Sequence, residues 1–177
     1  AVLNFYSVAL HTGQSFLWIP GIFSGFPIYL SQSGGFLDPV NMLVFSLFSG
    51  TSGVHVRLAI DIMTTLLFAF LAGRALGLSR TASLLIGPSY LIAMHLRFLS
   101  NPIIANTFFL VPLLIYTSMK TLTGRSPYLM GVLAGVGFGW ALLGGYTQVV
   151  VYAVLLAGLF VLGHLLLFTD AWKGKVV

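Results

Sequence analysis

Arg57 and Asp61 stand four residues apart within an apolar stretch, a spacing that brings both side chains to one face of a helix. An ionisable residue at the centre of a membrane helix costs about 2.5–3.5 kcal/mol unless it is paired. Two roles follow. Arg57 holds an anionic group in a polar cavity, or the two residues form a structural pair near the interface. His95 and Arg97 lie close to Asn101 and Asn106, and the planar guanidinium fork of arginine suits phosphate. The alternative for Arg97 is a snorkelling anchor at a helix end. Gln148, in the polar break Gly144-Gly145-Tyr146-Thr147-Gln148, adds an amide able to read hydroxyls. His164 suits a haem or chlorophyll ligand, but no second His lies at ligand spacing, and a helix-to-helix hydrogen bond is the alternative. Gly131, Gly135 and Gly139 make a stripe at spacing four that lets another helix approach closely. No phosphate loop, HExxH or GxSxG occurs, and no metal site is expected. Without cysteine, thiol catalysis and disulfides are excluded.

These residues sit in a chain that has little charge to place. Only 8 Lys/Arg and 3 Asp/Glu occur among 177 residues, 6% charged and 58% apolar, where a soluble domain carries about 25% charged residues. That composition excludes a soluble domain and a disordered one, and the thinly spread net charge of +5 argues against nucleic acid as a partner. The fold class expected is all-α, a polytopic transmembrane bundle of about five spans at residues 56–76, 82–97, 102–119, 128–144 and 147–168. Pro88 predicts a kink in the second. With alternating spans, Arg74, Arg80, Lys120, Arg125, Lys173 and Lys175 share one side, and Arg57 and Arg97 lie on the other. The positive-inside rule makes the larger group cytoplasmic. Residues 1–55 then lie on the outer face of the membrane, the C-terminus lies in the cytoplasm, and membrane lipids are partners throughout.

Residues 1–55 differ in kind, with Pro20, Pro27, Pro39, several glycines and interleaved aromatics such as Trp18, Phe23 and Tyr29. This chemistry favours turns and short helical pieces at headgroup level, so an outer loop is expected. Residues 38–49, DPVNMLVFSLFS, are apolar but too short to span, which predicts an interfacial or re-entrant helix capped by Asp38 with Pro39 in its first turn.

Residues 13–45, GQSFLWIPGIFSGFPIYLSQSGGFLDPVNMLVF, resemble the first outer loop of bacterial multi-span glycosyltransferases of the GT-C type, especially the YfhO-like group. The resemblance rests on Gly13, Leu17-Trp18-Ile19-Pro20, Gly25-Phe26-Pro27, Ser31-Gln32-Ser33 and Leu37-Asp38-Pro39-Val40-Asn41. It continues in residues 73–80, 95–112 and 143–148. It implies transfer of a sugar from a polyprenyl-phosphate carrier at the outer face. Trp18 and Tyr29 would contact the sugar, and Arg57, Asp61, His95, Arg97, Asn101 and Gln148 would hold the lipid phosphate and donor. The family's catalytic acid lies upstream of the Leu-Trp-x-Pro step, and residues 1–12 contain none. Asp38 stands where the family has an aromatic residue. The chain is therefore expected to be a partial one that lacks the catalytic Asp. No cofactor is firmly implied; a divalent metal would accompany that upstream acid. The alternative is a non-catalytic transmembrane subunit, docked by its glycine stripe to other membrane subunits of a photosynthetic or respiratory complex. Enzyme and subunit both stay open at this point.

Overall fold

The computed structural model describes residues 2–19, 25–27, 35–95, 105–124 and 126–173, with side chains outside 2–4, 94–95 and 168–173. The described residues are almost entirely helical: α1 (Val2–Thr12), α2 (Pro39–Leu47), α3 (Gly50–Ala75), α4 (Arg80–His95), α5 (Leu110–Leu122), α6 (Pro127–Leu143) and α7 (Thr147–Lys173). Two short strands, β1 (Trp18–Ile19) and β2 (Phe26–Pro27), pair antiparallel, Trp18 opposite Pro27 and Ile19 opposite Phe26.

Two of these helices are long and apolar enough to cross a membrane, α3 and the Thr147–Leu167 part of α7. In α7 only 17% of the most apolar window is buried within the chain, and in α3 33%. The core helix of a soluble protein would be mostly covered; these two suit a membrane by length, composition and low burial. The helices α4, α5 and α6 have 16, 13 and 17 residues. At 1.5 Å per residue they are shorter than the roughly 30 Å hydrocarbon core of a bilayer. Among the described residues two helices are thus long enough to span, where the sequence predicts five crossings.

The segment that reads as an outer loop begins with a helix. Its proline and glycine signals start only at Gly13, and in residues 2–12 Tyr6 and Ala9 fall on one helical face and are buried. Tyr6 meets the rings of Phe16, Phe36 and Phe45 edge-on, and its hydroxyl donates to the carbonyl of Phe36 at 2.9 Å. Burial, and secondarily the carboxylate of Asp38, raise the Tyr6 phenol well above its ordinary pKa, so it stays a neutral donor. The expected short helix over 38–49 is α2. Asp38 caps it, accepting from the backbone N–H groups of Val40 at 2.8 Å and Asn41 at 3.4 Å, with Pro39 at the first helical position.

In the bundle, α3 packs most extensively on α4 and α5, and α5 on α6 and α7. The α3–α4 turn closes with Gly77 at φ +84 and the Leu78 N–H bonded back to the carbonyl of Gly73. Gly73 lies against Ser83, and Gly87 against Leu66, so both glycines let the two helices approach closely. Pro88 sits inside α4. Regular helix α5 starts at Leu110, which leaves Pro112 in a first turn where its missing N–H costs nothing. The bundle core is Phe109, Leu110, Leu113, Ala141, Val150 and Ala153.

Candidate functional site

Two of the three acids in the chain meet Arg57 of the first span. Arg57 Nη2 donates to Asp38 Oδ2 at 2.9 Å and lies 3.0 Å from Asp61 Oδ1. Its Nε donates to Asp61 Oδ2 and to Asn106 Oδ1, both at 3.2 Å. Trp140 closes the node from α6: its indole N–H donates to Asp38 Oδ1 at 3.1 Å, and its ring centroid lies 5.8 Å from the guanidinium carbon. Relative exposures are 0% for Asp38, 1% for Asp61, and 2% for both Arg57 and Asn106. Buried charge of this density is tolerated only when each group finds partners. Four pieces of chain supply them: the cap of α2, the N-terminal half of α3, the turn before α5 and the end of α6.

The helical spacing of Arg57 and Asp61 pairs them directly, and Asp38 joins as a third charged group. The guanidinium is enclosed by carboxylates; only Nη1 and Asp61 Oδ1 lack a hydrogen-bond partner, and Asp61 Oδ1 is still within ion-pair distance. In this arrangement Arg57 does not face an open cavity. It ties the N-terminal segment to the bundle. The sequence signal for this node was scarcity: with so few acids, a buried arginine has few possible counter-ions. The parts of Asn106 and Trp140 carry no such signal.

Gly35 supports the node from the side. At φ +59, an added Cβ would stand 2.8 Å from Asn41 Nδ2, 2.9 Å from the carbonyl oxygen of Gly144 and 3.3 Å from Asn106 Nδ2. Asn41 Nδ2 donates to the Gly35 carbonyl at 2.8 Å. Glycine is required here twice over, by its left-handed backbone and by the closeness of its neighbours.

The other expected site residues are dispersed. Trp18 is half exposed on β1, with its ring packed over Gly25 at φ +122. Gln148 is exposed at the start of α7 and donates to the Tyr152 hydroxyl at 2.7 Å. His95 ends α4, and nothing is described of its side chain; Tyr29, Arg97 and Asn101 lie outside the described residues. His164 is half-buried towards the opposite end of α7, in a groove with Leu76, Phe160 and Leu167. Among the described residues no group of three or more His, Asp or Glu is placed to hold a metal ion. The glycine stripe faces outward, because Cβ atoms at Gly131, Gly135 and Gly139 would meet nothing within 4 Å. The close approach in α6 is made by Gly137, against Leu113 and Phe109 of the α5 region.

A groove of about 380 Å³ opens beside the node, between α4, the start of α5 and α7. Its walls are mostly apolar, and Tyr146 and Gln148 stand at its end. Comparison with protein-family models, with curated proteins and with solved structures gives no match.

Proposed function

We propose that this chain is the donor-binding part of a membrane-embedded glycosyltransferase of the GT-C type, acting on polyprenyl-phosphate-linked sugar at the outer face of a bacterial cytoplasmic membrane. The observation that supports this reading is the node. The end of the segment carrying the loop resemblance, Gly35 to Asn41, is fastened to the first span and to the 105–110 and 140–144 regions, so three of the four stretches that carry the resemblance meet at one end of the bundle, while residues 73–80 lie at the other end of α3. In this reading residues 1–55 lie outside, the C-terminus lies in the cytoplasm, and α4, α5 and α6 complete five crossings as short members of a bundle. Asp38 and Asp61 are both held by Arg57. Neither is free to act as the base that activates an acceptor, so they position the loop and the catalytic base comes from elsewhere.

Arg97 is the cation this reading assigns to the lipid phosphate, since Arg57 is already paired. Arg97→Ala is expected to weaken binding of a polyprenyl-phosphate hexose to the reconstituted protein about tenfold, the loss of one charge-assisted contact, with membrane insertion unchanged. Equal binding by both proteins, or no binding above that of the free polyprenol, would overturn the assignment.

A non-catalytic membrane subunit is the second reading, favoured by the open face of α6. Its stripe of glycines and exposed Val132 and Val136 has no partner along the described chain. On this reading Gly135→Leu abolishes co-purification of partner subunits while the chain itself inserts and folds. Normal assembly of the variant would remove the stripe from consideration.

A further inference from the structure

The groove beside the node differs in chemistry from a phosphate site. Phe108, Val111, Val149, Ala153 and Leu156 make its walls apolar. Tyr90 contributes its ring, because its hydroxyl is turned aside to donate to the Phe108 carbonyl at 3.0 Å. At the rim stand Tyr146, Gln148 and Tyr152. All three are uncharged hydrogen-bonding groups. Tyr152 leans toward the start of α7, as helical side chains do, and its hydroxyl accepts from the Gln148 amide at 2.7 Å. That leaves the Tyr152 O–H itself, and the second amide hydrogen of Gln148, available to donate outward.

The depth also decides something. From Gln148 to Leu156 the groove follows α7 for eight residues, about 12 Å at the helical rise. One leaflet contributes about half of a 30 Å hydrocarbon core. A groove of that depth, open to the side at half-exposed Tyr152 and Leu156, takes one hydrocarbon chain lying parallel to its neighbours in the leaflet. The rim then falls where a chain joins its head.

We propose that this groove is a binding site for one acyl chain of an ester-linked glycerolipid of the outer leaflet, whose ester carbonyl accepts hydrogen bonds from Tyr152 and Gln148. Among the described residues the rim is neutral, which separates this occupant from a polyprenyl phosphate, a lipid that presents no carbonyl at that level and needs cations for its phosphate. The occupant thus differs in chemistry from a polyprenyl donor, and its place in the outer leaflet rests on the orientation proposed above.

The test uses the full chain in nanodiscs doped with phosphatidylglycerol that carries a diazirine in one acyl chain. Photolysis followed by mass spectrometry maps the labelled residues. Labelling is expected to concentrate on Val149, Ala153 and Leu156 over Leu159, Leu162 and Leu166, which are exposed on α7 outside the groove. Tyr152→Phe, and separately Gln148→Ala, should lower groove labelling about fivefold, as the loss of one neutral hydrogen bond would. The ether-linked analogue of the same lipid should show the same fall in the unaltered protein. Both substitutions are at exposed side chains, and an unchanged unfolding midpoint confirms that the variants are folded. Uniform labelling along α7 would mean bulk lipid only and overturn the proposal. So would equal labelling by the ether analogue, or preferential labelling of the groove by a diazirine-bearing polyprenyl phosphate.

Discussion

Arg57→Met is expected to destabilise the protein by about 3–5 kcal/mol, the usual cost of removing one partner from a buried ion pair. The physical reason is what stays behind. Asp38 and Asp61 are fully buried around the guanidinium, and without it two carboxylates face each other in an environment that cannot solvate them. Asp38 also caps α2 and accepts from Trp140, so relief by moving Asp38 away would uncap the helix and detach the N-terminal segment. Unfolding of the detergent-solubilised protein, followed by tryptophan fluorescence, measures the loss. The triple variant Arg57→Met, Asp38→Asn, Asp61→Asn should recover most of it, because Asn keeps the capping oxygen and removes both charges. An Arg57→Met protein that unfolds at the unaltered midpoint would show that the node contributes nothing to stability. A triple variant as unstable as the single one would show that the loss is one of packing.

The parts of this arrangement that were legible in the sequence are those set by local rules. The pairing of Arg57 with Asp61 follows from helical spacing. The cap at Asp38 and the start of α2 follow from an acid placed before a proline and an apolar run. What sequence did not carry was the meeting of these two features. Asp38 and Arg57 are brought together by the short turn between α2 and α3, and Asn106 and Trp140 reach the same point from more than 40 residues away. The glycine stripe shows the same limit from the other side. Spacing four along α6 puts Gly131, Gly135 and Gly139 in line, but which face meets α5 depends on the rotation of the helix. Gly137, half a turn off the stripe, is the residue against Leu113. The helix α1 was hidden because a proline- and glycine-rich composition was read over the whole of residues 1–55, whereas its first eleven helical residues precede all of those signals.

Gly35→Ala should be the most damaging single-methyl change in the N-terminal segment, and Gly13→Ala supplies its control. Both glycines have left-handed backbones, φ +59 and φ +66, so alanine at either position bears a conformational cost of about 1–2 kcal/mol. At Gly13 nothing lies within 4 Å of the added carbon, and the cost ends there. At Gly35 the methyl would press on the Gly144 carbonyl at 2.9 Å and on the amides of Asn41 and Asn106. A backbone carbonyl cannot swing away as a long side chain can, so the α6–α7 turn or the α2 cap must shift, adding a further 1–3 kcal/mol of the kind seen in overpacked cores. The two variants are therefore expected to differ in unfolding free energy by about 2 kcal/mol in the same detergent. Because Asn106 also accepts from Arg57, the Gly35 and Arg57 substitutions share a partner and should be non-additive. A double-mutant cycle with Arg57→Met should return a coupling of about 0.5 kcal/mol or more, while the same cycle with Gly13→Ala returns none. Equal losses at Gly13 and Gly35, or strict additivity at Gly35, would mean that the loop rests against the bundle without being fastened through the node.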